Sequence, residues 1–160
     1  VIVDTLNSEA LTNVLVGIST PAENLNVLAA AYKEAQVALE IGKVFDSEKY
    51  ILSYKSLGVG RLIYHLPTKL CQLFLQEVLT KKGLDALDEE IITTIYEFFK
   101  NDLNVSETAR QLYIHRNTLV YRLDKVLKTI GLDLRKFDDA VVFKVAMMVN
   151  QYLEANPMKL

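Results

Sequence analysis

The stretch SETARQLYIHRNTLVYRL, residues 106–123, carries the side chains with the most chemistry to offer. Arg116 and Asn117 stand side by side, and Val120 and Tyr121 follow one helical turn later. An arginine fork matches the O6 and N7 acceptors of guanine. An asparagine amide matches the N6/N7 edge of adenine, and a valine side chain suits the thymine methyl. Ser106, His115, Thr118, Arg122 and Lys125 surround them with hydroxyls, an imidazole and two cations, groups suited to phosphate oxygens. The chemistry these types suit is recognition of duplex nucleic acid. Arg116, Asn117, Val120 and Tyr121 would read base edges; Ser106, His115, Thr118, Arg122 and Lys125 would hold the backbone.

Such a reader needs two crossed helices to hold it. Ala109 is small enough for a helix crossing, and Leu112 and Ile114 bracket a tight turn. Leu119, Leu123, Val126, Leu127 and Ile130 recur at i, i+4, i+7, i+8 and i+11, one inward stripe of a helix over about 116–129. Its outward face begins with Arg116, Asn117, Val120 and Tyr121, in the turns that meet bases in a helix-turn-helix. Tyr113 departs from the pattern, because glycine usually stands four residues after the small crossing residue. Either Tyr113 takes a left-handed conformation at some cost or the turn differs.

Charge bears on the same question. The chain has a net charge of −2, so a nucleic-acid surface must be a local patch. Arg110, Arg116, Arg122, Lys125 and Lys128 form one, opposed within the stretch only by Asp124. The acidic residues Asp88, Glu89, Glu90 and Glu97, and Asp133, Asp138 and Asp139, cluster elsewhere in the sequence. Arg122 lies beside the inward stripe and either clamps a phosphate, the preferred reading, or pairs with an acidic neighbour. A generic helical bundle with a solvated basic face fits the pattern less well.

From Asp88 onward the chain reads as all helix. Asp88 is a candidate cap before Ile91, Ile92, Ile95, Phe98 and Phe99. Asn104 and Glu107 have capping-box spacing, and Ser106 is a second candidate cap. A last helix from near Asp138 carries Val141, Val142, Val145, Ala146, Met148, Val149 and Tyr152, apolar around much of its circumference. That implies deep burial or a helix partner. Upstream, VLVGIS and YILSY read as strands. Between them runs a helix ending near Gly42, with Leu25, Leu28, Ala31, Tyr32, Ala35, Leu39 and Phe45 inward. LGVGRLIYHLP reads as a helical turn closed by Pro67. A connecting helix follows, with Leu70, Phe74 and Val78 on one face and Cys71 as a buried, inert thiol. The expected division is 1–66, a partial α/β segment; 67–87, a connector; and 88–160, the helix-turn-helix domain. Two strands make a poor sheet, so further strands are expected upstream. The chain starts at Val1 rather than Met and is read as a fragment.

Half the residues are apolar, enough for real cores. One cysteine allows no internal disulfide and no all-cysteine metal site. AVVFKVAMMV is short and interrupted by Lys144, and no leader peptide is visible, so no membrane association and a cytoplasmic location are expected. His65 and His115 are too far apart for ligand spacing; His65 reads as a helix-end residue, and His115 as a cap or phosphate contact. No metal or cofactor is expected.

The residues NVSETARQLYIHRNTLVYRLDKVLKTIGLDL strongly resemble the C-terminal helix-turn-helix of the PucR/CdaR family of bacterial regulators. The core HRNTLVYRL is specific to that family and resembles Fis-type domains more weakly. The lead-in DEEIITTIYEFFKNDLNVSETA and the tail FDDAVVFKVAMMV also match. VGISTPAENLNVLAAAYKEAQVALEIGK and SLGVGRLIY look like the last third of the GGDEF-like domain that precedes it. The resemblance implies a mainly α fold, with a Fis-like helical bundle after a partial GGDEF-like α/β segment. It implies a transcription factor on double-stranded promoter DNA, acting as a dimer or higher oligomer. No GGDEF signature occurs, and Gly58-Val59-Gly60 is too short for a phosphate loop, so no catalysis is expected. The alternative function is a helical dimerisation module built on residues 138–153, without DNA readout.

Overall fold

The computed structural model describes residues 2–9, 14–46, 48–79 and 83–156. The fold is mainly α. Two compact units are distinguished: residues up to Pro67 together with those from Met148 onward, and Thr68–Met147.

The first unit contains α1 (Ile2–Glu9), β1 (Val16–Ile18), α2 (Leu28–Phe45), β2 (Ile51–Ser53) and α3 (Val59–Tyr64). No element is expected from the sequence over α1. The strands pair in parallel, Val16 with Ile51, Gly17 with Leu52 and Ile18 with Ser53. A parallel pair needs a crossover connection, which α2 supplies. Small residues set how closely α2 approaches the sheet. A Cβ on Gly17 would lie 2.3 Å from the Ala35 carbonyl oxygen, and one on Gly42 2.3 Å from a Leu52 methyl. Gly42 therefore packs inside the helix rather than ending it, and α2 continues to Phe45.

This contact corrects the expected inward face of α2 in part: of the residues expected inward, Ala31 is buried and Ala35, Leu39 and Phe45 are half-buried. Ala31, Ala38, Ile41 and Gly42 are buried, whereas Leu25, Leu28 and Tyr32 are exposed, Leu25 at 86 %. Alanine and glycine at 31, 35, 38 and 42, with Ile41 beside them, form the close-contact stripe, and Leu25, Leu28 and Tyr32 fall outside it. His65 closes α3, as a helix-end residue should. Gln151 Nε2 donates to the Val44 carbonyl at 2.5 Å, and the Tyr152 ring meets Tyr64 edge-on at 6.2 Å. Tyr64 donates to Glu40, which pushes its hydroxyl pKa up to about 12.

The second unit contains α4 (Thr68–Val78), α5 (Glu89–Lys100), α6 (Val105–Gln111), α7 (Arg116–Ile130) and the start of α8 (Phe137–Ala155). Ile91, Ile95 and Phe98 of α5 meet Ala109 of α6, Leu119, Leu123, Val126 and Ile130 of α7, and Phe143, Ala146 and Met147 of α8 in one core. Burying each large aliphatic side chain contributes about 1.5–3 kcal/mol, so the α7 stripe fixes which face of that helix points out. In α4 Cys71 is buried, and Phe74, Leu75 and Val78 lie partly buried. Leu70, expected inward, is half exposed because the buried face is centred one residue later. Burial pushes the Cys71 thiol pKa up, away from reactivity. In α8 Val141 and Val142 remain exposed while Ala140, Phe143 and Ala146 are buried, so its start is not enclosed all round.

Candidate nucleic-acid interface

Residues 104–130 build the candidate site. Asn104 caps α6: its Oδ1 accepts from the Glu107 backbone N–H at 3.1 Å. The reciprocal half of a capping box is not made. The Glu107 carboxylate accepts instead from Arg110 at 2.6 Å and Gln111 at 3.1 Å, and these bonds hold its pKa below the usual carboxylate value. Thr108 is buried and donates to the Asn104 carbonyl.

The turn answers the question Tyr113 raises. Tyr113 adopts φ +54°, the left-handed region. Its N–H donates to the Arg110 carbonyl at 3.1 Å, and the Ile114 N–H donates to the Ala109 carbonyl at 3.0 Å. This pair of bonds is the left-handed C-terminal cap that usually ends in glycine. A left-handed non-glycine residue costs about 1–2 kcal/mol. The α5–α6 connection repeats the device at Asp102 (φ 51°) and Leu103 (φ 61°).

After the turn, His115 caps α7. Its Nδ1 accepts from the Asn117 N–H at 3.2 Å. Arg116, Asn117 and Thr118 are exposed on the first turn, Tyr121 is exposed on the second, and Val120 is half-buried between them. Leu119 and Leu123 point into the core on the opposite side. Ser106 is exposed on the first turn of α6. The fold thus gathers Arg116, Asn117, Val120 and Tyr121 on one surface.

Arg122 and Lys125 are engaged differently from the preferred expectation. Arg122 is only 19 % exposed in its side chain. It donates to the Thr94 hydroxyl at 2.9 Å and to Glu90 at 2.7 Å. Thr94 is fully buried and donates its own hydroxyl to the Glu90 carbonyl at 2.7 Å, so its oxygen is free to accept from Arg122. Lys125 pairs with Asp88, and that contact raises its pKa. Asp88 stands at the N-cap of α5 but makes no side-chain cap bond. The acidic start of α5, remote in sequence, therefore lies against two of the five cations of the stretch. Arg110 is held by Glu107, and Asp124 pairs with Arg135 at 2.9 Å rather than opposing the patch. Among the described residues, Arg116 and Lys128 are the two cations of the stretch with no ion pair. Sequence reasoning missed Thr94, Glu90 and Asp88 as partners. The signal for the first was a polar residue inside the Ile91–Ile95–Phe98 stripe, where a buried hydroxyl must find a bond.

Two helices crossing at a small residue, a left-handed turn and a polar start to the second helix define a helix-turn-helix domain. Residues 91–149 match the model of the PucR C-terminal helix-turn-helix domain. It is 28% identical over 138 residues to the purine catabolism regulatory protein of Bacillus subtilis, covering 86% of this chain and 26% of that one. It is 29% identical over 126 residues to the carbohydrate diacid regulator of Escherichia coli, covering 78% and 32%. The chain thus spans a third or less of these relatives. A solved regulator of polyketide synthase expression from Bifidobacterium adolescentis matches at 22% identity and TM-score 0.46, over 78% of this chain and 48% of that one.

Proposed function

We propose that this chain is the DNA-binding part of a transcriptional regulator, with the first two turns of α7 in the major groove of promoter DNA. One observation carries the reading. The α7 stripe at Leu119, Leu123, Val126 and Ile130 is buried, which leaves Arg116, Asn117 and Tyr121 outward at the start of the helix. The names of the relatives, both regulators, support a regulator rather than an enzyme.

Arg116 and Asn117 read base edges, with Val120 and Tyr121 beside them. Ser106, His115 and Thr118 hold the backbone. Arg122 and Lys125 are better assigned to fixing α7 on α5, because their charges are already paired. The test is fluorescence anisotropy of the 160-residue chain with a labelled random-sequence duplex pool over a series of salt concentrations. Binding that weakens with salt, and that an Arg116→Ala/Asn117→Ala variant diminishes, supports the reading; a folded chain that binds no duplex rejects it.

A second reading rests on Phe137, Val141 and Val142, exposed at the start of α8. There α8 pairs with a second copy and the basic helix is incidental. It predicts a concentration-dependent dimer without salt-sensitive duplex binding. A dimer alone also suits the first reading, since two-fold sites need two readers.

A further inference from the structure

Among the described residues of the second unit, three non-glycine residues hold the left-handed conformation, and they differ in what offsets the strain. Asp102 belongs to a type that tolerates it. Leu103 packs against the core. Tyr113, at φ +54°, is 97 % exposed, and no packing offsets its conformation. Glycine would make the same turn without strain. A large aromatic residue here does nothing evident for the folded chain, and its place is two residues before the His115 cap of α7. Gln111, His115, Arg116 and Asn117 around it in sequence are also exposed. Unpaired Arg116 makes this end attractive to a polyanion rather than to a neutral protein surface.

We infer that Tyr113 is a DNA-contacting residue whose phenol hydroxyl donates to a backbone phosphate oxygen beside the base-reading turn. The inference rests on the proposed function and extends it to a residue outside the recognition helix. Tyrosine is among the side chains that make such contacts, which set affinity and register rather than sequence preference.

The experiment compares the wild-type chain with Tyr113→Phe and Tyr113→Gly. Each is titrated with the labelled random-sequence duplex pool at several salt concentrations, and each is melted. Tyr113→Phe keeps the ring and the backbone strain and removes only the hydroxyl. It is expected to melt like the wild type and to bind ~3–10-fold more weakly, the loss of one hydrogen bond. Tyr113→Gly is expected to melt ~4 °C higher, as strain is released, and yet to bind at least as weakly as the phenylalanine variant. The salt slope should stay at the wild-type value in both, because no charge is removed. Wild-type affinity in both variants overturns the inference. Weak binding by Tyr113→Gly alone overturns the hydroxyl contact. If the wild-type chain binds no duplex, the proposed function fails together with this inference; if it binds and the variants equal it, only this inference fails.

Discussion

Asn117 occupies the second position of α7, with its backbone N–H capped by His115 and its side chain exposed. The cap holds the backbone still, and a fixed backbone is what lets a short amide select one base. Replacing Asn117 with alanine should relax preference at a single base position by about 1–3 kcal/mol, read by comparing affinities for duplexes that differ only there. Charge separates Arg116 from Lys125. Arg116→Ala removes an unpaired cation that meets a base edge, so it should relax base preference and lower the slope of log affinity against log salt by less than the ~0.9 of a direct phosphate contact. Lys125→Ala removes a cation that Asp88 already neutralises and should change that slope less. Equal slope changes would return Lys125 to the phosphate contacts.

At the scale of elements, α7 is held by its apolar stripe and by the Arg122 contacts to Thr94 and Glu90 on α5. Glu90 is exposed, so solvent screens that pair and the Thr94 bond matters more. Arg122→Ala should destabilise the second unit by roughly 1 kcal/mol, measured by urea denaturation, with no change in base preference. In the first unit Gly42→Ala would drive a methyl into Leu52. Overpacking of this kind costs about 1–3 kcal/mol, and the loss should appear as a lower denaturation midpoint. The helices of the second unit were legible in the sequence because large apolar residues recur at 3.6-residue spacing in Leu119, Leu123, Val126 and Ile130. The face of α2 was legible only in part, at Ala31 and Ala35, because alanine and glycine make its contact and carry a weak hydropathy signal. The partners of Arg122 and Lys125 were illegible for another reason. They lie 28, 32 and 37 residues away, and only the packing of α5 on α7 brings them near.

At the scale of the molecule, the net charge of −2 and the few unpaired cations on the helix-turn-helix set a limit on electrostatic binding. Non-specific affinity should be weak and specificity should rest on the short row at Arg116, Asn117, Val120 and Tyr121. Among the described residues no helix is long and apolar enough to cross a membrane. The outward row was legible in the sequence because the inward stripe defines its opposite. The left-handed state of Tyr113 was legible only as one of two alternatives, which the bonds to Arg110 and Ala109 resolve. The most direct measurement of base reading by α7 is selection of bound DNA from a random duplex pool, with an Arg116→Ala/Asn117→Ala variant run in parallel. The account predicts an enriched motif with the wild-type chain that the variant fails to enrich. The same motif recovered by both proteins, or retention of duplex by a folded wild-type chain with no enrichment of sequence, would contradict it.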